Sequence, residues 1–136
     1  MEATEYARIY EAAFVGGRGW SADEIARLIS APGGFVVHTD HGFAIGRSIA
    51  GEAEVLTLAV DPSKQRRGQG RRLLGLFEAA AQNAGARDLF LEVAADNAPA
   101  RGLYTSHGWR DVGRRSGYYA RPDGAVDAVL MGKVLP

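Results

Sequence analysis

Cysteine is absent from the 136 residues, which excludes disulfide staples, thiolate-held zinc and thiol nucleophiles together. Net charge is absent as well. Sixteen Lys and Arg stand against 16 Asp and Glu, so the chain lacks the basic excess of a general nucleic-acid or membrane-surface binder. No apolar run approaches the ~20 residues of a membrane-spanning helix. The stretch from Met1 to Tyr10 carries Glu2 and Glu5 and lacks the basic-then-apolar order of an export signal. The expectation is a cytoplasmic protein with no membrane partner and no direct nucleic-acid partner. No fixed-period repeat, low-complexity tract or Pro/Ser-rich linker divides the chain, which suits one domain over 1–136. Histidine is scarce too. His38, His41 and His107 show no ligand spacing with nearby acids, so no metal is expected.

Glycine is in excess. Its 18 residues are ~13% of the chain, against a usual ~7%. Hydrophobic residues at 46% and charged residues at 24% are otherwise those of a folded globular protein.

Residues 2–15 read as a helix, with Tyr6, Ile9, Tyr10, Ala13 and Phe14 recurring at helical spacing until Gly16, Gly17 and Gly19 break the pattern. Ser21 with Glu24 is a capping box opening a short second helix that Pro32-Gly33-Gly34 ends. Strands follow at Phe35–Thr39 and Gly42–Ala50 about an Asp40-His41-Gly42 turn, then at Glu52–Val60. In the last of these, Glu54, Leu56, Leu58 and Val60 alternate against Val55, Thr57 and Ala59. A helix with the apolar stripe Leu73, Leu74, Phe77, Ala80, Ala81 and Ala84 stops at Gly85. Leu89–Ala94 is a strand turning Phe90 and Glu92 away from Leu89, Leu91 and Val93. Asn97 caps a helix holding Pro99, Leu103 and Tyr104 and closing at Gly108. Trp109–Arg115 and Ala125–Val134 form a final strand pair. The order α-α-β-β-β-α-β-α-β-β describes an α/β (α+β) domain around one mixed sheet.

The segment Lys64–Arg72 carries five of the 16 cations and no acid. It joins an apolar strand to an amphipathic helix. Gly68 and Gly70 permit a tight loop whose N–H groups converge, and the helix turns its own donors and positive dipole end to the same place. A phosphate or pyrophosphate is the expected ligand. The Walker A spacing is missing, and Leu73 stands where a dinucleotide fingerprint needs its third glycine. What remains is Gln-x-x-Gly-x-Gly at Gln65, Gly68 and Gly70.

That spacing, preceded by Leu58-Ala59-Val60-Asp61-Pro62, resembles the acetyl-CoA signature of the GNAT N-acetyltransferases. Leu91-Glu92-Val93, Asn97 and the run from Leu103 to Trp109 continue the resemblance in order. Tyr118-Tyr119, Asp123-Gly124 and Asp127-Ala128, with Trp20-Ser21 more loosely, are similar to the RimI-type subfamily, which acetylates the N-terminal alanine of a ribosomal protein. The resemblance covers Glu52 to Met131.

It implies a sheet splayed open between the strand ending at Val60 and the strand carrying Glu92. Acetyl-CoA would lie in the opening, its pantetheine along the backbone of Leu58, Ala59 and Val60. Arg66, Arg67, Gly68, Gln69, Gly70 and Arg71 would hold the pyrophosphate, and Asn97 and Tyr104 would complete the cofactor contacts. The acceptor would be a ribosomal-protein N-terminus attacking directly in a ternary complex, and no activated Cys or Ser offers a covalent route. Glu92 matches the family's general base. Partial desolvation on its strand would raise its pKa toward that role, while the plainer reading is a solvated strand acid. Tyr104 is the candidate acid for the departing sulfur, and it also suits core packing beside Leu103. Asn97 needs no role beyond capping, to which the resemblance adds a bond to the pantetheine.

Glu52 and Glu54 could face a basic peptide, and Tyr118 and Tyr119 could wall its groove; solvation and edge packing explain them equally. Two features depart from the family. The start leaves room for at most a very short first strand, and the region from Gly16 to Gly51 is short and rich in glycine. An acceptor that is a small amine or a lysine side chain, a CoA-binding module without catalysis, and an RNA-binding basic loop are the rival readings.

Overall fold

The computed structural model describes residues 2–13, 20–64 and 68–136. Two helices, α1 (Ala3–Ala13) and α2 (Ala22–Ser30), precede a three-stranded meander, β1 (Gly34–Thr39), β2 (Gly42–Ile49) and β3 (Glu52–Val60). A 3-10 turn at Pro62–Lys64 leads towards α3 (Gln69–Asn83). β4 (Asp88–Ala94), α4 (Ala98–Ser106), β5 (Arg110–Tyr119) and β6 (Val126–Val134) complete the chain. All six strands join one sheet in the order β1-β2-β3-β4-β6-β5. The element order is the one expected, and β1 is the sheet edge. α1 is the first described element, with no strand before it. Phe14 and the glycines at 16, 17 and 19 lie outside the described residues.

Local chemistry accounts for the boundaries. The Ser21 hydroxyl accepts from Glu24 N–H while the Glu24 carboxylate accepts from Ser21 N–H, the reciprocal box read from the sequence. Gly85 and Gly108 take φ of 90° and 86° after α3 and α4, conformations that side chains with a Cβ resist.

Each face of the sheet carries a core. On one, Leu74, Phe77 and Ala81 of α3 meet Leu89 and Leu91 of β4, with Tyr104 and Trp109 from α4 and its end. On the other, α1 and α2 press Tyr6, Ile9 and Ile25 against Phe43, Ile45 and Ala59. Each fully buried Leu, Ile or Phe among them contributes about 1.5–3 kcal/mol of hydrophobic stabilisation. Ala84, expected on the α3 stripe, is exposed, because α3 ends at Asn83 and Ala84 is its C-cap.

The strict alternation expected for β3 is not what forms. Ile45 pairs with Thr57 but the next residue, Gly46, pairs with Val55, so Leu56 is an extra residue and a β-bulge. Leu56 therefore joins Ala59 on the α1/α2 side, while Leu58 turns to the α3 side. The parallel pairing of β3 with β4 is short: Glu52 with Asp88, Ala53 with Leu89 and Glu54 with Phe90. Beyond it, β3 runs on to Val60 and β4 to Ala94 without pairing to each other. β4 instead keeps β6 along its whole length, from Asp88–Val134 to Ala94–Ala128. The sheet is thus split into a V whose apex follows Phe90, as the resemblance implied.

Candidate active site

The V is bounded on one side by Leu58, Ala59 and Val60, the first half-buried and the other two buried. β2 pairs with one edge of this strand, and β4 takes up none of the other edge past Glu54. Asp61 closes the strand end. Its carboxylate accepts the Ser63 hydroxyl at 2.9 Å and the Ser63 N–H at 3.1 Å, and these bonds, with Arg8 nearby, hold it below the usual carboxylate range.

At the open end lies the start of α3. Gly68 is its N-cap at φ 76°, and no side chain among the described residues caps the helix. The first intrahelical bond runs from Arg72 N–H to the Gly68 carbonyl at 3.0 Å, so the amides of Gln69, Gly70 and Arg71 are first-turn donors without a helical acceptor. Gln69 Oε1 is buried with no hydrogen-bond partner among the described residues. A Cβ at Gly70 would stand 3.1 Å from Leu103 Cδ2, so α4 lies close against this end of α3. Arg71 is exposed. Gln65, Arg66 and Arg67 lie outside the described residues.

Across the V, β4 runs through Asp96 into α4. Asn97 caps α4 by accepting the Ala100 N–H on Oδ1 at 3.2 Å; its amide nitrogen keeps its donors. Tyr104 is 8% exposed, with its ring centroid 5.8 Å from that of Trp109. Burial pushes its phenol up to about 12, so it is protonated at any physiological pH. Core residue and potential donor are here one side chain.

Glu92 projects from β4 on the same face as Phe90, as expected, and its side chain is 30% exposed. It forms an ion pair with Arg115, Oε1 to Nε, at 3.1 Å. Phe90 is exposed beside it, and Phe90, Val112, Gly132 and Val134 line a groove of about 400 Å³ on the open sheet. What fixes this carboxylate is a cation reaching over β6, not an apolar enclosure.

Arg115 is aimed by an irregularity in β5. Arg115 pairs with Ala128 and Tyr119 with Val126, so β5 carries surplus residues between them. Gly117 takes φ 60° there and donates its N–H to Asp127 Oδ1 at 2.8 Å. The Asp127 carboxylate also lies 3.6 Å from Arg114 Nε. The looped strand brings Tyr118 and Tyr119 together edge to face, centroids 5.1 Å apart. Arg115 lies 5.6 Å from the Tyr118 ring centre and Arg121 lies 5.5 Å from that of Tyr119. Arg121 is in turn held by Asp96, just before Asn97, at 3.3 Å. Burial, then the charge of Glu92, raises the Tyr119 phenol.

Glu92, Tyr118 and Tyr119 are thus gathered on one side of the apex, while Glu52 and Glu54 remain exposed on strand β3, Glu54 beside Arg47 at 3.8 Å. Trp20 stacks on Tyr10 at 4.9 Å and tethers α1 to the start of α2. Sequence reading misses Arg115, Arg121 and Asp96. Their signal is a Tyr-Tyr pair bracketed by arginines, which has meaning only once the β5 bulge is known.

Comparison with known proteins agrees with this geometry. The family model described as the acetyltransferase (GNAT) family matches residues 4–109. The chain belongs to the GNAT family. It is 42% identical over 89 residues to the [ribosomal protein bS18]-alanine N-acetyltransferase of Escherichia coli K12, a match covering 65% of this chain and 60% of that protein. The match therefore spans less than two thirds of the curated relative. The crystal structure of the ribosomal-protein-S18-alanine N-acetyltransferase from Escherichia coli superposes with a TM-score of 0.81 at 32% identity, over 93% of this chain and 83% of that one. Salmonella typhimurium yncA, solved with its cofactor acetyl-CoA, shares the fold at TM-score 0.77 and 22% identity, over 98% of this chain and 88% of that one.

Proposed function

We propose that this GNAT chain is an acetyl-CoA-dependent N-acetyltransferase that acts on the N-terminal α-amine of a ribosomal protein beginning with alanine. The observation that carries the reading is the V between β3 and β4, with the uncapped start of α3 at its mouth and Glu92 just past its apex. The similarity to the bS18-alanine enzymes supports the acceptor. In this reading 1–136 works as one domain in the cytoplasm.

An α-amine has a pKa of ~8 and arrives mostly as an ammonium. Its nitrogen must bond to the acetyl carbon as the carbon–sulfur bond breaks. Of the two protons the ammonium gives up, one passes to Glu92, directly or through water, and on to solvent; the other ends on sulfur. The first-turn amides of α3, with Arg66, Arg67 and Arg71, hold the pyrophosphate, and Leu58 to Val60 with Asn97 guide the pantetheine. A thiol has a pKa of ~8.5, so full transfer from a phenol at about 12 is uphill by roughly 5 kcal/mol. Tyr104 therefore donates a hydrogen bond to the developing thiolate, and the proton reaches sulfur as the amine releases it.

Mass spectrometry of acetyl-CoA incubations with ribosomal proteins and Ala-starting peptides tests the reading. Acetylation of the α-amine is expected. Absence of CoA release with every amine offered, from folded protein, overturns it, and tight CoA binding without turnover would identify a binding module. Glu92→Gln should lower kcat by ~10²–10⁴ as a lost base, and Tyr104→Phe by ~10²–10³ as a lost hydrogen-bond donor; losses under threefold in both would show the roles to be misassigned.

A further inference from the structure

We propose that Arg115 is an internal counter-ion for Glu92, holding the carboxylate while the acceptor is absent and yielding it to the acceptor's α-ammonium. The inference rests on the function proposed above and adds a positioning residue to it.

The contact is short, 3.1 Å from Arg115 Nε to Glu92 Oε1, yet both partners are open to solvent, with side chains 56% and 30% exposed. Exposed ion pairs of this kind contribute little to stability, so another cation can replace the guanidinium at small cost. The neighbouring arginines are otherwise engaged, Arg114 beside Asp127 and Arg121 with Asp96. Among the described residues, Arg115 is the one whose cation is paired with Glu92.

It also has somewhere to go. Its guanidinium already lies near the face of Tyr118, where a cation is attracted to the ring after leaving the carboxylate. The strand leaves regular pairing just beyond it, at the Gly117 bulge. An α-ammonium carries the same charge in a smaller volume, so the exchange leaves the net charge beside Glu92 unchanged. It also brings the amine's proton to the oxygen that is to receive it.

The experiment compares wild type with Arg115→Ala and Arg115→Lys, using an Ala-starting peptide at saturating acetyl-CoA. Arg115→Ala is expected to lower the acceptor KM about two- to fivefold. Its kcat should stay within ~3-fold and its KM for acetyl-CoA should not move. Arg115→Lys should keep an acceptor KM close to wild type, because it restores the counter-ion. Peptide binding to the CoA-loaded protein, measured calorimetrically, should tighten in Arg115→Ala in the same proportion. An unchanged or raised acceptor KM, or a fall in kcat alone, overturns the exchange and leaves Arg115 merely orienting Glu92. Wild type without turnover on any amine removes the functional reading itself, a result distinct from these.

Discussion

Lys133 Nζ donates to Glu78 Oε1 at 2.6 Å and to the His107 carbonyl at the same distance. The indole of Trp109 donates to the other Glu78 oxygen at 3.3 Å. One α3 carboxylate therefore ties together β6, the end of α4 and the residue that packs on Tyr104. The Glu78 and Lys133 side chains are 13% and 23% exposed, so their pairing is far less screened than a surface bridge. Glu78→Ala leaves the indole N–H without its acceptor and the Lys133 ammonium without its counter-ion, holding only the His107 carbonyl, and a loss of about 2–3 kcal/mol is expected. Urea unfolding should show it as a lower midpoint at unchanged slope. Glu78→Gln, which keeps an acceptor, should lose about half as much.

Tyr104 makes stability depend on alkaline pH. Its phenol titrates near 12 when folded and near 10 when unfolded. Below pH 10 both states are protonated and the stability is complete. Between 10 and 12 the unfolded chain releases the proton while the folded one keeps it, so stability falls as pH rises. The integrated loss approaches about 2–3 kcal/mol. Other groups titrate in this window, so the informative quantity is the difference between wild type and Tyr104→Phe. Denaturation at a series of pH values from 9 to 12 should give the variant the flatter profile, and parallel profiles would contradict it.

Features set by a few neighbouring residues are legible in the amino-acid sequence. The Ser21–Glu24 box, the glycines after α3 and α4, and the outward turn of Glu92 each follow from local backbone chemistry. The extra residue at Leu56 is not legible there, because a bulge is defined by the register of two strands and β3 by itself shows clean alternation. The environment of Glu92 is hidden for the same reason. Period-two reasoning places its side chain on the correct face but gives no sign of Arg115, which arrives over β6 from a strand whose own register is broken.

Gly68 is a conformational requirement and not a spatial one. Its φ is 76°, and a Cβ there would meet none of the described residues within 4 Å. Gly68→Ala should therefore cost about 1–2 kcal/mol in backbone strain. Partial relaxation would re-aim the first-turn amides of α3. The acetyl-CoA KM is expected to rise about three- to tenfold, with the acceptor KM changing less than twofold. Gly68→Asn, which tolerates the left-handed region, should recover much of the loss. Equal effects from both substitutions would show that side-chain bulk, not φ, governs the site.

Asp127 braces the β5 bulge, and under the proposed function that bulge serves the acceptor. Its carboxylate accepts the Gly117 N–H at 2.8 Å and lies 3.6 Å from Arg114, holding the β5 bulge that carries Tyr118 and Tyr119 around Glu92. Asp127→Ala removes both contacts, while β6 and its pairing with β4 are set by backbone bonds along the whole strand. The bulge should loosen and the fold persist, with less than about 2 kcal/mol lost because both partners reach solvent. Acceptor kcat/KM should fall about tenfold while the KM for acetyl-CoA stays put, since a misplacement of about 1 Å near reacting groups costs far more in rate than in stability. Initial-rate kinetics with each substrate varied in turn separates the two. A rise confined to the acetyl-CoA KM would mean that the bulge serves the cofactor side of the V instead.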